Sequence, residues 1–158
     1  MPAGDPRRSR TSIITQFLAS MARRHLVTVV NAHPSVRMPH APIREAVERV
    51  LVAERVPSGE VTIVLVDDEE LLGMNRRHLA HDYYTDVITF PLEADPLEGE
   101  VYISVDRARE QAAEVGVRLG DELRRLAVHG ALHLAGYDDA NDDERRRMTA
   151  LEDRYLRS

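Results

Sequence analysis

The chain contains no cysteine, which removes disulfide scaffolds, thiolate zinc sites, iron–sulfur clusters and thiol nucleophiles together. Any metal chemistry must use histidine and carboxylate. Lysine is absent as well, because all 21 basic residues are arginine, and Schiff-base and P-loop lysine mechanisms go with it. No apolar run approaches the roughly 20 residues that span a bilayer, so the expectation is a protein with no membrane segment. The formal net charge of −6 argues against a chain that coats nucleic acid indiscriminately.

What is present suits one ordinary domain. The 158 residues, 43% hydrophobic and 30% charged, can bury a core without hiding a second fold. Residues 1–24 are Pro/Gly/Arg-rich, then mixed apolar and polar, with Thr15, Gln16 and Ser20 breaking the apolar stretch. No clean cleavage site follows, so this segment reads as a frayed extension or short docked helix ahead of a domain over 25–158. A cytoplasmic protein is expected.

The β-branched run Leu26–Val30 predicts a strand, and a proline-rich loop leads to a helix over Arg44–Arg55 with Ile43, Ala46, Val47, Val50 and Leu51 on one face. A second strand spans Glu60–Val66. The acids Asp67 to Glu70 then mark a helix N-terminus, where the dipole favours negative charge, and that helix continues through Leu79. Two further strands, Asp86–Pro91 and Glu100–Val105, are expected to pair across a loop from Leu92 to Gly99. Helices follow over Asp106–Val115, Gly120–Ala135 and Asp142–Leu156. The fold class is therefore α/β (α+β): one domain, a small mixed β-sheet of about four strands, and packed helices.

Chemistry concentrates in His129-Gly130-Ala131-Leu132-His133-Leu134-Ala135-Gly136-Tyr137-Asp138-Asp139. Residues four apart on a helix leave the same face one turn apart, so His129 and His133 can share a cation. Gly136 can adopt the left-handed conformation that ends a helix and turns Asp139 back as a third ligand. Two histidines and a carboxylate with a fourth position open form a recognised catalytic zinc set. The spacing also resembles metzincin-type proteases, but the glutamate that serves as base in those enzymes is Gly130 here. A zinc protease is the weaker alternative.

The segment resembles the signature H-G-x-L-H-L-x-G-Y-D-H of the YbeY family, metal-dependent endoribonucleases of ribosomal RNA maturation. Residues 129–138 meet every template position up to the last. Thr85-Asp86-Val87-Ile88-Thr89-Phe90-Pro91 is similar to the family's T-D-V-L-S-F-P strand, Asn75 matches its upstream Asn, and Gly99–Ser104 resembles its G-D-I-x-I-S strand. The likeness covers about residues 26–156. It implies one zinc ion on His129, His133 and the third-ligand position, cleavage of single-stranded RNA, and partners among ribosomal RNA, ribosomal subunits and assembly proteins.

Two positions depart from the pattern. The third metal histidine is Asp139, a harder oxygen ligand, and the family's arginine before the T-D-V strand aligns with Leu79, which cannot stabilise developing charge. The missing arginine leaves open a non-catalytic assembly factor with a structural metal. It also directs attention to His81, two residues on, as the second functional group, with Asp82 beside it placed to raise its pKa. Arg76 and Arg77 are candidate phosphate-binding residues, against a plain reading as the solvated end of a helix. Asp138 is a candidate to orient a metal histidine or simply solvate the turn. Arg145, Arg146 and Arg147 read as partners of the acids one turn earlier. His25, His33, His40 and His78 have no partner spacing and are expected to be structural or on the surface.

Overall fold

Alternating burial defines the sheet: Val61, Ile63 and Leu65 on one strand and Leu97, Val101 and Ile103 on its neighbour all point to the same buried side. The computed structural model describes residues 25–157 together with residues 13–15 and 18, and the expected extension over 1–24 otherwise lies outside the described residues. Four strands, β1 (His25–Asn31), β2 (Gly59–Val66), β3 (Val87–Ala94) and β4 (Leu97–Ser104), lie in the order β1-β2-β4-β3. β1, β2 and β4 are parallel, while β3 is an antiparallel edge strand on β4. The mixed four-stranded sheet is the one expected.

Helices α1 (Ala41–Ala53), α2 (Asp68–Leu79), α3 (Val105–Val115), α4 (Leu119–Leu134) and α5 (Asp142–Leu156) cover it. Ile43, Val47, Val50 and Leu51 of α1 join Leu123, Leu126, Ala127 and Ala131 of α4 and Met148 of α5 in the main core. On the opposite face, Leu71 and Met74 of α2 pack with Val66 and Ile88 against Val64, Phe90 and Tyr102. The acids after β2 start α2 as predicted: Asp67 caps it by accepting from the Glu70 amide at 2.8 Å.

One expectation needs correction. The segment Leu92–Gly99 is not mainly a loop, because β3 runs to Ala94 and β4 already begins at Leu97. The cause is the neighbouring strand: β2 pairs with β4 from Gly59↔Leu97 onward, and buried Leu97 extends the apolar side of the ladder. Residues 92–99 by themselves contain no trace of that partner.

Candidate metal centre

Helix α4 comes unusually close to the sheet where the first histidine sits. A Cβ on Gly130 would meet Val101 Cγ1 at 2.5 Å, so only glycine lets the helix lie on β4 at this height. Position 130 therefore faces the sheet, and a protease-type glutamate there would enter the core rather than the cleft. At the end of the helix, Gly136 takes φ +108° and the Tyr137 amide donates back to the Leu132 carbonyl at 3.0 Å. The chain reverses and carries Asp139 to the histidines.

His129 Nε2 and His133 Nε2 lie 3.1 Å apart, and Asp139 Oδ2 is 3.5 Å from each. A tetrahedral ion with bonds of about 2.0–2.2 Å separates its ligands by roughly 3.3–3.6 Å, so the three atoms fit one zinc-sized cation. The other ring nitrogens are already committed. His133 Nδ1 donates to the Tyr137 carbonyl at 2.9 Å, and His129 Nδ1 donates to Glu152 of α5 in a short bond. Both imidazoles thus present Nε2 to a metal in a fixed tautomer, the usual arrangement behind metal-bound histidine.

Burial pulls the pKa of His129 down, but the Glu152 hydrogen bond and charge, with the charges of Asp139 and Asp86, outweigh it and hold the pKa above the ordinary histidine value. The surroundings favour positive charge at this point, whether a proton or a cation supplies it. Glu152 is itself 4% exposed, and its second oxygen lies 3.6 Å from Arg125, which is also paired with buried Glu122. Further support comes from Arg145 Nη1, which donates to the Asp139 carbonyl at 3.1 Å, and from Glu54, which accepts from the Tyr137 hydroxyl at 2.9 Å. Asp138 is exposed at the cleft and bonds neither histidine.

The cleft runs along β3, with His129, His133 and Asp139 on one wall and Leu79, His81 and Tyr83 on the other. This second wall hangs on Asn75, which is 1% exposed: its carbonyl accepts from the His81 amide at 3.2 Å and its Nδ2 donates to the Tyr83 carbonyl at 2.9 Å. His81 Nδ1 is hydrogen-bonded to the Tyr83 hydroxyl at 2.9 Å, and the two rings stack at 5.1 Å between centroids, 21° apart. Asp82 is paired with the preceding helix, where Arg76 Nε meets it in a short contact. Arg77 leans toward Glu70 at 3.7 Å, and neither arginine lines the cleft.

Glu152 and Tyr83 are functional candidates that the sequence does not single out. Glu152 leaves one signal, a carboxylate on the buried face that Met148 and Tyr155 define on α5. The remaining histidines lie elsewhere: His33 is buried with Nε2 on Asp106 at 3.0 Å, His25 bonds the Val56 carbonyl, His40 precedes α1, and His78 meets Phe90 edge-on. Arg145 and Arg146 pair with Asp142 and Asp143, as the charge pattern predicts.

Comparison with known proteins agrees with this geometry. The family model described as endoribonuclease YbeY matches residues 29–158. A Bacteroides thetaiotaomicron protein named endoribonuclease YbeY is 39% identical over 125 residues, 77% of this chain and 91% of the relative. One of the same name from Chloroherpeton thalassium is 40% identical over 120 residues, 75% and 85% of the two chains. A Thermotoga maritima protein with a solution structure superposes at TM-score 0.62 with 27% identity, covering 83% of this chain and 87% of that one. With the signature helix, its capping turn and the T-D-V strand assembled around one cleft, the chain belongs to the endoribonuclease YbeY family.

Proposed function

We propose that this endoribonuclease cuts single-stranded ribosomal RNA during ribosome maturation, using one zinc ion held by His129, His133 and Asp139. The observation that carries the reading is the convergence of three candidate ligand atoms within 3.5 Å of one another on one wall of an open cleft. Held by His129, His133 and Asp139, a zinc ion would supply Lewis acidity toward water and a phosphoryl oxygen near neutral pH. Glu152 and the Tyr137 carbonyl hold the two imidazoles in register, and the Gly136 turn with Arg145 holds Asp139. His81, on the facing wall, gives a proton through Nε2 to the oxygen that leaves phosphorus, the task for which Leu79 has no group. Ribosomal subunits and their assembly proteins are the proposed partners, in the cytoplasm; among the described residues no helix is long and apolar enough to cross a membrane.

The test is metal analysis followed by cleavage of a single-stranded ribosomal RNA fragment with and without chelator. The expected result is about one zinc per chain, cleavage abolished by chelator and restored by zinc, and a duplex of the same sequence left intact. His81→Ala should lower cleavage by roughly 10²-fold with metal content unchanged. Cleavage that persists in chelator overturns the metal reading, and an unimpaired His81→Ala removes His81 from the chemistry.

A further inference from the structure

The cleft presents a difficulty for a protein that binds a polyanion. Its charged lining residues are Asp86, Asp138 and Asp139 besides the three histidines, and among the described residues no arginine lines it. Arginines beside it are taken, Arg76 by Asp82, Arg77 by Glu70 and Arg145 by Asp142. Phosphate contacts, the usual source of affinity for nucleic acid, are therefore scarce at the site of cleavage. What the cleft offers instead is an aromatic surface. Tyr83 is 55% exposed although its position is fixed at both ends, its carbonyl by buried Asn75 and its hydroxyl by His81, whose ring backs it in a parallel stack. A large ring held rigid with one face covered by another ring and the remainder open to solvent is the form of a base-stacking platform.

We propose that Tyr83 is the base-stacking residue of the cleft, holding one unpaired nucleobase next to the cleaved phosphodiester, so that the chain selects single strands by stacking rather than by phosphate charge. The inference rests on the cleft being the RNA site. A duplex has no free base face to offer, so discrimination against it follows from Tyr83 without any sequence reading. Leu79 fits the same arrangement: 41% exposed on the same wall, it offers apolar surface where the family pattern places an arginine.

The experiment measures equilibrium binding of the zinc-loaded full chain to a short 2′-O-methyl single strand carrying 2-aminopurine, by anisotropy and by quenching of the base fluorescence. Base–aromatic stacking of about 1–3 kcal/mol predicts that Tyr83→Ala weakens binding roughly 5- to 150-fold and relieves the quenching. Tyr83→Phe keeps the ring and should bind within about twofold of wild type. Both variants must retain zinc and their unfolding temperature, which separates lost stacking from a lost fold. Wild-type-like binding by Tyr83→Ala overturns the proposal, as does failure of the wild type to bind single strands. A Tyr83→Phe as weak as Tyr83→Ala also overturns it, since the hydroxyl would then be what matters. Strong stacking-dependent binding without cleavage would leave Tyr83 its role and remove the nuclease mechanism. Cleavage with Tyr83-independent binding would do the reverse.

Discussion

The two walls of the cleft hold their histidines by different means. On the α4 side, each metal-facing imidazole is fixed by a second hydrogen bond, and Glu152, the group behind His129, is 4% exposed and paired with Arg125. On the α2–β3 side, His81 and Tyr83 are exposed, they brace each other, and one buried amide, Asn75, ties them to the helix. A buried charged network is costly to break and fixes a ligand tightly, whereas an exposed aromatic pair keeps ring surface open to a substrate. Retention of a metal and handling of a substrate are therefore expected to be separable, because the two walls rest on different kinds of support.

The largest expected effect is on the metal wall. His133→Ala removes one of the three proposed ligands and opens the Tyr137 carbonyl bond, so zinc should be lost at micromolar protein and cleavage with it, as metal analysis and an RNA assay would record. Retention of stoichiometric zinc in that variant would show that the cluster is not the site. Next is Glu152→Gln, which keeps shape but removes the charge behind His129. Loss of such a partner typically costs 10–100-fold in metal affinity. Competition titration with a chromophoric chelator should show a weakening in that range, and activity should return at saturating zinc. An unchanged affinity would reduce Glu152 to a packing residue.

The facing wall should respond in the opposite pattern. Asn75→Ala removes the side-chain bond to the Tyr83 carbonyl and keeps the backbone bond to His81, so the turn loosens at Tyr83, and a displacement of about 1 Å at a catalytic group can cost as much as roughly 10²-fold. Cleavage should fall about 10-fold or more while zinc affinity stays within twofold. If zinc affinity falls in parallel with cleavage, the two walls are one cooperative unit and the contrast between them fails.

The same contrast separates what is legible in the amino-acid sequence from what is not. His129, His133 and Gly136 lie within eight residues, and the periodicity of a helix and the backbone freedom of glycine are local rules, so the ligand-bearing turn is legible. The second hydrogen bond of each histidine is only partly so. Tyr137 is close in sequence, but Glu152 reaches His129 through the packing of α5 on α4, which no spacing encodes. Adjacency pairs Asp82 with His81, yet the preceding helix brings Arg76 to Asp82 in a charge-assisted bond. Likewise the strand ends at Ala94 and Leu97 follow from the ladder with β2 rather than from their own composition. Local pattern is informative wherever the deciding partner lies within one turn.

The smallest effect, absent at neutral pH, concerns how the metal wall is tied to the rest of the core. Glu54, just past α1, accepts from the Tyr155 hydroxyl at 2.5 Å with one oxygen and from the Tyr137 hydroxyl with the other, so it clamps both α5 and the ligand-bearing turn. Burial first, and then the bond to Glu54, pushes the Tyr155 phenol up to about 12. Its pKa unfolded is about 10. A folded value above the unfolded one means that the contribution is fully present below pH ~10 and is lost as pH rises toward about 12. Urea unfolding should therefore show a further loss of stability above pH ~10. Tyr102 on the opposite face, held by Glu100 and likewise pushed up to about 12, adds to the same loss. Tyr155→Phe and Tyr102→Phe should each flatten the alkaline limb in part. Only Tyr155→Phe should also loosen the turn, visible as faster amide exchange at Tyr137 with the Asn75 wall unaffected. Equal exchange changes on both walls would mean that the clamp serves the whole core rather than the side that holds the metal.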